Sequence, residues 1–155
     1  MHIRRFREED GAALAKVIER TLRITNARDY SPEYIEDIVG TMTNEKLIER
    51  STWTHFYVAC EGDRIIGSGA IGPYYGRADE SCFFTIFVLP EYQGRGVGRR
   101  IVETLEADPY FLRARRIEVP ASISAVEFYK KMGYGYKGGA YSIDEEQLCR
   151  MEKFR

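Results

Sequence analysis

The sequence is poor in the residues that build metal or disulfide sites. Only three cysteines occur, Cys60, Cys82 and Cys149, odd in number and far apart. There is no Cys-x-x-Cys pair and there are only two histidines, which argues against a disulfide framework and against a zinc site. No bound metal is expected. No stretch reaches the about 18 consecutive apolar residues that a membrane-spanning helix needs. Met1–Glu9 is charged and lacks an apolar signal core. No membrane contact is therefore expected, and a reducing cytoplasmic location is. The formal net charge is only −1, so no polyelectrolyte partner is implied. A nucleic-acid surface built on Arg95–Arg116 would lack interleaved aromatics and a recognisable module, so no nucleic acid is expected. Repeats, linkers and low-complexity segments are also missing. A chain of 155 residues with 44% apolar content suits one domain, 1–155, with a core of its own.

What is present reads as an alternation of strands and helices. His2–Phe6 suits a short strand, and Arg7–Asp10 offers an acidic helix start. Leu14, Val17, Ile18, Thr21 and Leu22 then recur at helical spacing. Ser31-Pro32 is a cap followed by a first-turn proline, opening a second helix with Tyr34, Ile35, Ile38, Val39 and Met42 on one side. Thr43-Asn44-Glu45 breaks it and starts a short helix carrying Leu47 and Ile48. Phe56–Cys60 and Ile65–Ile71 are strands joined by the turn Glu61-Gly62-Asp63-Arg64. Gly72–Ser81 reads as a loop, and Cys82–Val88 as a long apolar strand. A helix is expected over Gly98–Ala107, a strand over Ile117–Ala121, a helix over Ser124–Met132, and two closing strands over Tyr134–Ser142 and Leu148–Phe154. The order βααβββαβαββ predicts an α/β fold with a mixed, mostly antiparallel sheet and helices on both faces. The strands flanking the Gly98 helix must be parallel.

One stretch carries chemistry: Val88-Leu-Pro-Glu-Tyr-Gln93-Gly94-Arg95-Gly96-Val97-Gly98-Arg99-Arg100. It is a strand end, a glycine loop and a helix start. Glycines let backbone N–H groups approach an anion, and a helix N-terminus adds unpaired donors and a favourable dipole. The spacing fails two nucleotide fingerprints. A P-loop needs Lys and Ser/Thr where Arg99-Arg100 stand, and a dinucleotide fingerprint needs glycine at Arg99. What fits is Gln-x-x-Gly-x-Gly, Gln93–Gly98, preceded by Val-x-Pro-x-Tyr. This resembles the acetyl-CoA loop of the GCN5-related N-acetyltransferase (GNAT) family. A second run, Pro120-Ala-Ser-Ile-Ser-Ala-Val-Glu-Phe-Tyr-Lys-Lys-Met-Gly-Tyr134, contains the family's frequent Ala-x-x-Phe-Tyr-x-x-x-Gly-Tyr pattern from Ala125 to Tyr134.

The resemblance implies several roles. Backbone groups of Ile86, Phe87 and Val88 would pair with the pantetheine arm of acetyl-CoA as a surrogate strand. Gln93, Gly94, Arg95, Gly96, Val97, Gly98 and Arg99 would form the diphosphate seat. Ser122 stands where many members carry an Asn that contacts CoA. Tyr129 would be general acid for the departing thiolate, a task for which a phenol protonated at neutral pH is suited. The expected activity is acetyl transfer to a primary amine, on a small molecule or a protein, by direct attack in a ternary complex. A non-catalytic acyl-CoA-binding module is the alternative.

The general base is left open. Some members place Glu six residues before the motif valine, where this chain has Cys82. Glu80 is the nearest carboxylate, with Glu118, His55 or a water chain as other options. The acceptor, the acyl-chain preference and the oligomeric state are not specified by the sequence, and a homodimer is compatible with it. Thr21–Ser51, Gly72–Ser81 and Tyr136–Glu146 are the segments expected to line the acceptor.

Overall fold

The computed structural model describes residues 1–155. A seven-stranded sheet has the order β1-β2-β3-β4-β5-β7-β6. Its strands are β1 His2–Arg5, β2 His55–Glu61, β3 Arg64–Tyr74, β4 Arg77–Val88, β5 Arg116–Ala121, β6 Gly135–Tyr136 and β7 Cys149–Phe154. Every neighbouring pair is antiparallel except β4–β5, the pair spanned by a helical crossover. The helices are α1 Gly11–Ile24, α2 Pro32–Gly40, α3 Asn44–Ser51, α4 Val97–Glu106, α5 Pro109–Leu112 and α6 Val126–Lys131. The expected order holds: the short helix carrying Leu47 and Ile48 is α3, and α5 is the one helix added to it.

Residues Ile65–Ile71 of β3 are buried without alternation, which requires cover on both sheet faces. On one face Ile101 and Leu105 of α4 press so closely on Gly69 that a Cβ there would lie 2.6 Å from Ile101. This is why the strand is rich in small residues. α1 contributes Leu14, Val17, Ile18 and Leu22 to the same continuous core. Its start is locked by Asp10, whose carboxylate accepts the Arg7 N–H at 2.7 Å and two bonds from Arg4 at 2.8 and 2.9 Å. α2 and α3 begin as their sequences predict, with Ser31 and Thr43 accepting the N–H of Tyr34 and Lys46.

Three expectations need correction. Gly72–Ser81 is not a loop. β3 continues to Tyr74, β4 starts at Arg77, and only Tyr75-Gly76 turns between them, both at positive φ (45° and 75°). Such a turn matches strand twist, but glycine or asparagine usually marks its first position, and tyrosine there hides it. The strand predicted over Tyr134–Ser142 shrinks to Gly135–Tyr136, because Gly138 and Gly139 adopt left-handed conformations that end the ladder. The last helix is preceded by a 3-10 turn, Ile123–Ala125, so its α portion starts at Val126.

Candidate active site

The site follows from where β4 and β5 stop pairing. Their parallel ladder covers only Glu80–Cys82 against Arg116–Glu118. Beyond Cys82, the β5-facing edge of β4 has no strand partner. In continued register Pro120 would stand opposite Phe84, and proline has no N–H to bond with. β5 meanwhile stays paired to β7 as far as Ala121. The result is a split sheet whose gap runs along Phe83–Val88.

At the far end of the gap lies the glycine loop. Gly94 and Gly96 have φ of +76° and +82°, the left-handed region where glycine is favoured. The first bond into α4 is from the Arg100 N–H to the Gly96 carbonyl. The N–H groups of Gly94, Arg95, Gly96, Val97, Gly98 and Arg99 therefore donate to nothing within the chain. Consecutive free donors at a helix start are a seat for an anion. The Val97 side chain is buried, so only its backbone faces the seat. Gly98 packs on the Phe128 ring, which a Cβ would approach at 3.4 Å. Arg95 lies over the Tyr92 ring at 4.9 Å, and neither Arg95 nor Arg99 has a carboxylate partner. Gln93 has a positioning role. Its amide donates to the Val88 carbonyl and to Thr25 Oγ1, both at 3.0 Å, tying the loop to β4 and α1.

At the near end stands Tyr129. Its ring is buried against Phe128 and Tyr134. Its hydroxyl makes no hydrogen bond within the chain, yet no side-chain oxygen shut away from solvent lacks a partner. The Tyr129 oxygen is thus reachable and unpaired. Burial, with a smaller contribution from nearby Cys82, holds its pKa above the ordinary tyrosine value. The Ser122 hydroxyl, at the end of β5, is also free of bonds within the chain and half-buried. Over this end, Tyr30 and Tyr34 stack at 4.4 Å and donate to the carbonyls of Gln147 and Glu146. Tyr30 also accepts the Ile123 N–H at 3.0 Å, joining the α1–α2 connection to the rim of the gap.

Glu80, the carboxylate expected as a possible base, is held in a cluster of ion pairs. Glu80 is buried, with Oε1 2.9 Å from Arg116 Nη1 and Oε2 2.9 Å from Arg77 Nε. Arg116 also binds Glu118 at 2.6 Å and Glu152 at 2.9 Å. Burial alone would lower the Arg116 pKa, but these three carboxylates outweigh it and hold the guanidinium charged. Glu118 is committed likewise. Burial would raise its pKa, and bonds from Lys137 and Arg116 hold it below the usual range instead. Replacing Glu80 with Gln is expected to lower stability by about 1–3 kcal/mol, as expected when a bonded charge is lost, with kcat essentially unchanged. A collapse of kcat at intact Tm would restore Glu80 as a base.

His55 is no better placed. Its Nδ1 lies 2.8 Å from Asp108, which also accepts from Tyr57 Oη at 2.6 Å and from the Tyr110 N–H. Asp108 caps α5, and His55 meets it from β2, two strands from β4 in the sheet. Cys82 does lie at the fork. Burial first, then Glu118, pushes its thiol from 9.0 up to about 12. Being raised, the thiol stays protonated until pH nears that value. Native protein at pH 8 should therefore react negligibly with a disulfide reagent, whereas denatured protein should show three thiols. Rapid native labelling of Cys82 would contradict this.

The bulge in β4 leaves no mark in the sequence. Thr85 has φ of +57°, and the register against β3 slips between Ser68 and Ala70. Alternation fails there, so Phe84 and Thr85 both meet the end of α3. Phe84 packs edge-on to Trp53 at 5.1 Å, and Thr85 accepts a hydrogen bond from Arg50. Ile86 turns to the α4 face. Neither Thr85 nor Arg50 is marked in the sequence, because Cys-Phe-Phe-Thr-Ile-Phe-Val is uniformly strand-favouring.

A split sheet with free N–H groups at one end and a free phenol at the other has the polarity suited to an extended, phosphate-ended ligand. The family comparison agrees. Residues 52–135, just over half the chain, match the family described as "Acetyltransferase (GNAT) domain", and the chain belongs to the GNAT acetyltransferase family. Similar solved structures include the PaiA N-acetyltransferase of Thermoplasma acidophilum in complex with coenzyme A, at 22% identity, 99% and 98% coverage of the two chains and TM-score 0.82. A GCN5-related N-acetyltransferase from Rhodopseudomonas palustris follows at 24% identity, 99% and 95% coverage and TM-score 0.80. An aminoglycoside 6'-N-acetyltransferase with coenzyme A shares 16% identity over 99% and 97% of the chains, with TM-score 0.71. No curated protein matches the sequence. No helix is long and apolar enough to cross a membrane.

Proposed function

We propose that this protein transfers the acetyl group of acetyl-CoA to a primary amine by direct attack within a ternary complex. One observation carries the reading: the edge of β4 is unpaired beyond Cys82, which lies near Tyr129, and leads to six consecutive free N–H groups at Gly94–Arg99. Those residues fit acetyl-CoA in polarity and charge. The loop N–H groups, with the dipole of α4, suit its diphosphate. The open edge at Ile86–Val88 suits its amide-bearing arm, as an added strand would. Bound there, acetyl-CoA supplies an activated thioester. A strand N–H near Ile86 would polarise the carbonyl, and Tyr129 would give its proton to the leaving sulfur.

No carboxylate or imidazole is free at the fork, so the amine proton leaves through water. Nor does any residue there suit a covalent relay, since the Cys82 thiol is held neutral. Calorimetry with CoA and a thiol-release assay over an amine panel test the activity, with product masses identifying N-acetylation. Intact-protein mass after incubation with acetyl-CoA alone tests the route. An acetylated Cys82 that passes its acetyl group to amine would overturn direct attack, and tight CoA binding without turnover of any amine would leave a binding module.

A further inference from the structure

Five lysine or arginine residues in this protein are buried or half-buried: Arg4, Arg50, Arg116, Arg150 and Lys153. Four of them are paired with carboxylates, Arg4 with Asp10, Arg116 with Glu80, Arg150 with Asp144 and Lys153 with Glu106. Arg50 has none. Its side chain bonds only Thr85 Oγ1, with Met42 Sδ 3.9 Å away. A guanidinium has five donors, so most of its capacity is unused. Burying a cation without a counter-charge is costly, and here burial lowers its pKa with only adjacent Glu49 opposing. Such a group is usually retained where a ligand completes it.

Its position says which ligand. Thr85 is the left-handed residue of the β4 bulge, three residues past Cys82, where the gap opens. It directly precedes Ile86, at the strand segment assigned above to the reacting thioester. Trp53 and Phe84 form an aromatic wall beside it. The remaining cations near the fork, Arg116, Lys137 and Arg150, are all engaged by carboxylates. Arg50 is therefore the free charge on the acceptor side of β4.

We infer that Arg50 binds a carboxylate of the acceptor, so that the amine acetylated is one that carries a carboxylate close to its nitrogen, as amino acids do. The inference rests on the acetyltransferase reading above. A guanidinium matches a carboxylate with two parallel bonds. The same charge disfavours a second cation nearby, which penalises polyamines. Thr85 holds the guanidinium in place through its hydroxyl, and the bulge turns that hydroxyl toward α3.

The test uses purified full-length protein, acetyl-CoA and three probe sets: the proteinogenic L-amino acids, the same compounds as carboxyl amides, and spermidine with tyramine. Calorimetric CoA affinity is measured first, since its failure sinks the acetyltransferase reading itself. With CoA bound, turnover of at least one amino acid is expected, and its amide should be a poorer substrate by about 10- to 100-fold in KM. Arg50→Gln should raise KM for that amino acid by about the same factor and change KM for its amide far less, and carboxyl recognition is read from the ratio of the two. Arg50→Lys should recover part of the loss. Turnover confined to spermidine, tyramine or the amides, no turnover of any amino acid, or an Arg50→Gln effect equal on acid and amide would each overturn the inference.

Discussion

Gly96→Glu removes coenzyme A binding and leaves a folded protein. Gly96 stands at φ +82° immediately before α4, and the space around the position of a Cβ is open to at least 4 Å. The cost to folding is therefore conformational and not steric, roughly 1–2 kcal/mol for an L-residue held left-handed. The cost to binding is of another kind. The carboxylate would sit amid six free N–H groups and accept from them itself, while repelling a diphosphate. Calorimetry should show CoA affinity reduced by at least about 100-fold, equivalent to some 2.7 kcal/mol. Thermal unfolding should shift by only a few degrees. Gly96→Ala separates the two effects, because it carries the strain without the charge and should keep most of the affinity. An unchanged affinity in Gly96→Glu would mean that the loop holds no phosphate.

This loop was legible before any coordinates because its physics is local. Two left-handed glycines, a helix start and a gap in the hydrogen-bond ladder are all encoded within a few residues of one another. The split sheet was less legible: Pro120 lacks an N–H, but the opening of β4 to a ligand arm was implied by the family resemblance and not by spacing alone. The surroundings of Glu80 were not legible, for the opposite reason. Its environment is made by Arg77, Arg115, Arg116 and Glu118, and β4 and β5 bring those charges together only when they pair. Arg50 shows the same limit. In sequence it is one more charge on a polar helix. Only the left-handed Thr85, thirty-five positions on, makes it a half-buried cation beside the gap. Tertiary contacts of that separation leave no periodic trace.

The bulge also explains how one strand serves two purposes. β4 must pair with β3 for the core to close, yet must present successive side chains to the acceptor side and free backbone to the gap. A regular strand would alternate and turn Thr85 toward α4. The extra residue shifts the phase, so that Phe84 and Thr85 share a face while Ile86 still packs over Gly69. The left-handed φ of a β-branched residue costs of order 1–3 kcal/mol. The bond from Ser68 Oγ to the Thr85 carbonyl, at 2.7 Å, and the bond from Arg50 help offset it.

Tyr129→Phe separates chemistry from structure most cleanly, because the hydroxyl it deletes bonds to nothing in the chain. The ring, which packs on Phe128 and Tyr134, is kept. Stability should be unchanged or slightly higher, and CoA affinity should be retained. If the hydroxyl protonates the leaving thiolate, kcat falls by about 100-fold or more, about 2.7 kcal/mol of transition-state stabilisation. pH gives an independent readout. Burial holds the Tyr129 pKa above its ordinary 10.0, so the acid form persists through that pH in the native protein. Wild-type kcat should therefore not decline toward pH 10 through loss of this proton. The sign for stability is opposite in consequence. Above pH 10.0 an unfolded tyrosine ionises and the buried one does not, so wild type loses stability as pH climbs through that range. The Phe variant should lose less. A variant with full kcat and the same alkaline stability profile as wild type would reduce Tyr129 to a core aromatic, and the departing thiolate would then have to be protonated by water.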